Sequence, residues 1–169
     1  MGRIGLKAGV LSRVSKEGGG RVALAYVDFV YSAPAGAAGI AALLRVADSE
    51  EFVEHVRAVK VSTPHQAAYQ AVILALEAAR ELSPTLLVIF CRSKRIVDEI
   101  SSKSPSEENE ALYLKAQALM NQFRDVRIQH VRPETTERAR KAAERALAEE
   151  LGLPLSGATP EEGELILTP

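Results

Sequence analysis

The stretch LLVIFCRSKRIVDEI, Leu86 to Ile100, has two unlike halves. Leu86 to Phe90 is an unbroken apolar run, the pattern of a strand buried on both faces. Arg92, Lys94 and Arg95 then place three cations around Ser93, and the chain from Ser93 to about Ser101 reads as a short helix. A buried strand that opens straight into a helix is a unit of α/β proteins, in which parallel strands are joined by helical crossovers. The junction also puts cations where free backbone N–H groups and the helix dipole already favour an anion.

Upstream, Arg21 to Tyr31 carries Val22, Leu24, Tyr26, Val27, Phe29 and Val30, too apolar for a one-sided strand, so a central one is expected. The small residues from Ser32 to Gly39 form a turn, and Ile40 to Val46 is the second strand. Phe52 to Val61 alternates in part and is assigned as a third strand, with a helix as the competing assignment. Thr63 is the candidate N-cap, and Pro64 the first residue, of a helix running to about Leu82. That helix is apolar around most of its girth, which implies burial on more than one side.

Downstream, Ser104-Pro105-Ser106-Glu107 is a capping-box pattern ahead of a helix bearing Leu112, Ala116, Leu119, Met120 and Phe123. Val126 to Val131 is the fifth strand. Pro133 opens a last helix with the stripe Ala139, Ala142, Ala143, Ala146, Leu147 and Leu151, stopped by Gly152 and Pro154. Three strands in an antiparallel meander, followed by strand–helix–strand pieces, predict a five-stranded mixed α/β sheet with helices on its faces. The domain spans residues 21–152. Residues 1–20 are an N-terminal extension, with a short strand expected around Ile4 to Val14, and 153–169 an acidic tail whose ending, Leu165-Ile166-Leu167, is expected to dock on the domain.

The chain has 169 residues, 47% hydrophobic and 25% charged, with a net charge of −1. It is long enough for one real core, and any nucleic-acid site must be a local patch rather than a global field. The single cysteine, Cys91, excludes an internal disulfide and fits a reducing compartment, so a cytoplasmic protein is expected. The N-terminus lacks the apolar run of a secretory signal, and no apolar run has the ~18 residues of a membrane span. His55, His65 and His130 have no metal-ligand spacing, and no P-loop or dinucleotide fingerprint occurs. No cofactor is expected.

Four segments in order resemble the ribonuclease H family, over roughly Arg21 to Glu150. YVDFVYSAPAGAAGIAALL is similar to the family's first strand, turn and second strand, with Asp28 at the first catalytic carboxylate and Gly36, Gly39 and Ile40 in step. TPHQAAYQAVILALEAARE resembles the central helix, which in the family begins Thr-Asn-Asn-x-Ala-Glu-Tyr; Thr63, Ala67 and Tyr69 are in step. The family's fourth strand ends in Asp-Ser, and here it ends Arg92-Ser93. HVRPETTERAR, His130 to Arg140, resembles the family's HVPREENKEAD. The resemblance implies the ribonuclease H-like fold.

It also implies where a site should lie, and there the chain departs from the family. The four acidic positions fall on Asp28, Ala68, Arg92 and Arg140, of which only Asp28 is a carboxylate. The family cleaves the RNA strand of a hybrid with two divalent cations ~4 Å apart, held by carboxylate oxygens. A cation and an arginine at ~4 Å repel by about 1–4 kcal/mol, depending on effective dielectric. The expectation is therefore a catalytically inactive relative with no bound metal. One function expected of it is binding nucleic acid (RNA, DNA or a hybrid), or another phosphate-bearing ligand, through Arg92, Ser93, Lys94, Arg95 and Arg140. The other is a scaffold that associates with itself or with a protein partner. A residual nuclease with rearranged ligands would draw on Asp98 and Glu99. Arg92 and Arg140 as plain partners of Asp28, Cys91 as apolar filler, and Phe29 and Tyr31 as packing residues are the structural alternatives.

Overall fold

The strand β1, Val22–Ser32, is the centre of the sheet, as its two-sided apolar pattern predicts. A computed structural model describes residues 20–153; the strand expected near Ile4 to Val14 and the docking of Leu165 to Leu167 lie outside them. β2 is Ala37–Val46, β3 Val53–Lys60, β4 Leu86–Cys91 and β5 Val126–His130, in the spatial order β3-β2-β1-β4-β5. β1, β2 and β3 pair antiparallel, whereas β1–β4 and β4–β5 are parallel. The segment Val53–Lys60 is a strand, which settles it against the competing helix.

The β1–β2 hairpin turns on Gly36, whose N–H donates to the Ala33 carbonyl (3.1 Å) and whose φ of 59° lies in the left-handed region that favours glycine. The first described helix, α1, is Pro64–Ala79, followed by a 3-10 turn Arg80–Leu82. Thr63 caps it as expected, its hydroxyl accepting from Gln66 N at 3.1 Å, while Gln66 Oε1 accepts from Ser62 N at 2.8 Å. α1 is buried on several sides because it lies between the sheet and two further helices, α2 (Lys94–Ser102) and α3 (Glu110–Met120). Its residues Ala71, Val72 and Ala75 share one core with Ala23, Ala25 and Val27 of β1 and Leu87 and Ile89 of β4.

Two local expectations need correcting. Ser104 to Glu107 does not close a capping box. Ser104 N instead donates to Glu99 O at 3.0 Å, finishing α2, and a 3-10 turn Glu107–Asn109 leads into α3. The last helix, α4, spans Glu137–Leu151 rather than opening at Pro133, which starts a 3-10 turn Pro133–Thr136. Gly152 ends α4 in the left-handed region, as a glycine at that position favours.

Among the described helices, α4 alone packs on the opposite face, over β1, β2 and β3. Ala139, Ala142, Ala143 and Leu147 meet Val30, Ala41 and Leu43 there. The approach is close enough that Gly39 has no room for a side chain. A Cβ on it would overlap the Ala143 carbonyl oxygen and come within 2.9 Å of Leu147 N, both backbone atoms that cannot swing away. Gly39→Ala therefore has to lift α4 off β2. It is expected to destabilise the domain by about 2–4 kcal/mol in urea denaturation, and an unchanged midpoint would refute the close packing.

Candidate functional site

The parallel register of β1 and β4 runs from Val22↔Leu86 to Val27↔Cys91. One residue beyond its end stand Asp28 and Arg92, so the register itself sets them side by side. The Asp28 side chain is fully buried and Arg92 is 17% exposed, and Arg92 Nε donates to Asp28 Oδ1 at 2.6 Å. The same oxygen accepts from Phe29 N at 2.7 Å, and Oδ2 accepts from the Thr136 hydroxyl at 2.8 Å. Arg92 is fixed further by Nη2, which donates to the Phe29 carbonyl at 3.3 Å, and by stacking on the Phe29 ring, 4.6 Å from its centroid. Burial raises the Asp28 carboxyl above its ordinary value, while the Arg92 charge and the three donors pull it back down.

Arg140 arrives from the first turns of α4 and is nearly buried. It does not pair with Asp28. Its Nε and Nη2 donate to Glu137 Oε1 and Oε2 at 3.0 and 2.8 Å, a bidentate fork. Its third nitrogen, Nη1, is buried without a hydrogen-bond partner among the described residues. The hydrogen bonds to Arg140 lead the causes that hold the Glu137 carboxyl below its ordinary value, and the same pairing raises Arg140. The Arg92 charge also lowers Glu137, so Asp28, Arg92, Glu137 and Arg140 form one electrostatic cluster whose formal charges cancel.

Two divalent cations do not fit this donor set. Ala68, at the second of the four positions, is buried in the core and has no ligand atom. Both Asp28 oxygens are already taken by donors. No group of three or more His, Cys, Asp or Glu side chains suited to a metal occurs among the described residues. The spare carboxylates do not help: Asp98 pairs with Lys94 at 2.7 Å. Glu99 accepts from Tyr69 Oη at 2.8 Å and from Asn109 Nδ2 at 3.3 Å. Although burial opposes its charge, the donors around Glu99 outweigh that and hold its carboxyl below the ordinary value.

The remaining sequence candidates separate. Lys94 is bound to Asp98, and Arg95 lies 3.3 Å from Glu99 and 3.9 Å from Glu108. Both line an open groove of ≈ 450 Å³ with Ser102 and Ser104, which no member of the Asp28 cluster lines. Ser93 is the N-cap of α2 without a side-chain cap bond. Cys91 is buried, its thiol pushed up to about 12 by burial, so it is a filler and not a nucleophile at neutral pH. Phe29 gives its ring to Arg92, and Tyr31 Oη donates to Ser62 O at 2.8 Å, so both serve the packing. Thr136 and Glu137 were not singled out from the sequence as site residues. The one signal was spacing, since Glu137 stands three positions before Arg140 on a helix, a pairing distance.

Breaking the Arg92–Asp28 pair tests this account. Arg92→Met leaves a buried carboxylate short of its cation and is expected to cost about 3 kcal/mol at neutral pH. Without Arg92, the Asp28 carboxyl rises further above its unfolded value. The folded state then takes up a proton more readily than the unfolded one, so stability is lost as pH rises through the folded pKa. The penalty in urea denaturation is therefore expected to shrink from pH 7 to pH 5; a penalty constant with pH would overturn the assignment.

A family model described as reverse transcriptase-like matches residues 27–146. The structure is similar to the N-terminal RNase H domain of a Mycobacterium tuberculosis protein, solved as a fusion with maltose-binding protein. The TM-score is 0.71 at 26% identity, covering 78% of this chain and 97% of that one. It is also similar to RNase H1 from Halobacterium salinarum, with a TM-score of 0.70 at 27% identity over 76% of this chain and 98% of that one. A third neighbour, LC11-RNase H1 in complex with an RNA/DNA hybrid, shares the fold at 19% identity, with a TM-score of 0.69 over 76% of this chain and 99% of that one. No curated protein matches the sequence.

Proposed function

The chain belongs to the reverse transcriptase-like family and has the ribonuclease H-like fold, and we propose that it is a non-hydrolytic module of that fold which grips a nucleic-acid phosphate backbone through Arg92 and Arg140. One observation carries the proposal: the positions matched to the family's metal-holding carboxylates present two oriented guanidinium groups, and Arg140 Nη1 is a buried donor with no partner among the described residues. A buried charged N–H without an acceptor is costly. An arginine held by its neighbours can grip phosphate without a metal. Hydrolysis by two cations has no support in this set of side chains, since Arg92 Nε already fills one side of the only carboxylate of the four.

Ser93 belongs with this surface by its place beside Arg92. Lys94 and Arg95 add little to it, because they line a separate groove. A structural neighbour was solved with an RNA/DNA hybrid bound, which makes a hybrid the first ligand to try. Among the described residues no helix is long and apolar enough to cross a membrane. The free, buried Cys91 fits a reducing compartment, and we place the module in the cytoplasm.

Fluorescence anisotropy with single-stranded DNA, duplex DNA, single-stranded RNA and an RNA–DNA hybrid, without added metal, tests the proposal. Binding is expected to weaken as salt rises, because each neutralised phosphate releases counterions. Arg140→Gln, checked for folding by circular dichroism, is expected to weaken it about fivefold to tenfold and to reduce the salt slope by about one. No binding to any of the four at low salt, or equal binding by Arg140→Gln, sinks it.

Self-association is a second reading, and the sheet edge favours it. Among the described residues β3 ends the sheet, and its Val53 and Val56 are 59% and 45% exposed. An open strand edge with apolar side chains is a template for pairing with another chain. Sedimentation should then show a dimer that Val56→Lys dissolves; a monomer at high concentration removes this reading.

A further inference from the structure

Glu137 meets Arg140 in the geometry a phosphate would use. Its two carboxylate oxygens take the parallel donors Nε and Nη2, the arrangement by which arginine binds carboxylate and phosphate alike. The two partners differ in how firmly they are held. The Arg140 side chain is 10% exposed and the Glu137 side chain 44%. The guanidinium is therefore enclosed, while the carboxylate approaches from the solvent side. The pair is an i,i+3 contact within the first turns of α4, so Glu137 can leave by side-chain rotation alone. On leaving, Glu137 returns to water while Arg140 stays enclosed, so the contact opens when another anion takes the fork, since an enclosed guanidinium without a partner is costly.

The fork leaves one nitrogen over. Two carboxylate oxygens serve Nε and Nη2, and Nη1 stays without an acceptor among the described residues. A backbone phosphodiester has two unesterified oxygens, the same number as a carboxylate, and can take the Nε and Nη2 donors in its place. The charge count points the same way. With Glu137 in place, the two carboxylates and two guanidiniums of the cluster cancel; with Glu137 swung out, a net positive charge faces the ligand.

We propose that Glu137 is an internal competitor for the anion, occupying the Arg140 fork in the free protein and leaving when a backbone phosphate takes its place. This rests on the anion-binding function proposed above and adds its regulation. Affinity is held down by a carboxylate of the protein itself, so removing that carboxylate strengthens binding. Damage to the fold would weaken binding, which makes a gain in affinity diagnostic.

The test is anisotropy with a labelled RNA–DNA hybrid at low salt, using wild type, Glu137→Gln, Arg140→Gln and Glu149→Gln. Glu149 is exposed near the far end of α4, so its substitution makes the same change in net charge away from the fork. Glu137→Gln is expected to bind about fivefold tighter than wild type, the scale of one weak ion pair, and Glu149→Gln within about twofold of it. Inorganic phosphate should displace the hybrid from Glu137→Gln at lower concentration than from wild type. Binding that Arg140→Gln loses but Glu137→Gln leaves unchanged or weakens overturns the competitor and leaves the anion site standing. An equal gain in Glu149→Gln reduces the effect to net charge and also overturns it. No binding by any of the four proteins removes both the competitor and the function it rests on.

Discussion

The ion pair between Arg92 and Asp28 is the joint on which the site depends. It lies just past the end of the β1–β4 pairing, where one strand stops and α2 is about to begin. A buried carboxylate is tolerable only if charge and hydrogen bonds replace the water it loses. Asp28 receives three such donors, each from a different part of the chain: the strand it sits on, the end of β4 and the turn before α4. The pair therefore ties together elements far apart in sequence. Three donors and a fixed cation beside Asp28 also make it a poor ligand for a divalent metal ion.

The second constraint is the close approach of α4 to β2 over Gly39. A helix with alanines on its inner face, resting on a glycine, comes near enough for backbone atoms to set the spacing. That contact locates the start of α4 and so decides where Thr136, Glu137 and Arg140 project. Thr136 turns inward to Asp28, and Glu137 and Arg140 pair at the cluster's solvent side. The 3-10 turn Pro133–Thr136 contributes to this, since the tighter winding brings Thr136 to the buried carboxylate before the α-helix begins. Small residues in the packing interface thus act on the chemistry of the site from a distance.

The order of elements and the mixed sheet were legible because each rests on a local signal. Two-sided apolar runs mark β1 and β4. Thr63-Pro64 marks the start of α1, and Gly152 the end of α4. The misjudged helix starts, at Ser104 to Glu107 and at Pro133, are places where a 3-10 turn precedes the α-helix. A proline limits where a helix begins without saying whether the first turn is α or 3-10. The four positions matched to the family's carboxylates were also legible, because substitution by alanine and arginine is a fact of sequence.

What the residues determined unaided was the inventory: one buried carboxylate, two arginines opposite it in the family pattern, and the elements that carry them. Which arginine pairs with which carboxylate was decided by the tertiary structure. Pairing with Asp28 was equally open to Arg92 and Arg140 in the sequence. The parallel register of β1 and β4 gives Asp28 to Arg92, and the helical spacing on α4 gives Arg140 to Glu137. Lys94 and Arg95, which looked like part of the same cationic patch, turn into a different groove, because a helix sends successive residues to different sides. Charge is additive along a sequence, but the distances that make it act are set only when strands and helices from distant segments pack together.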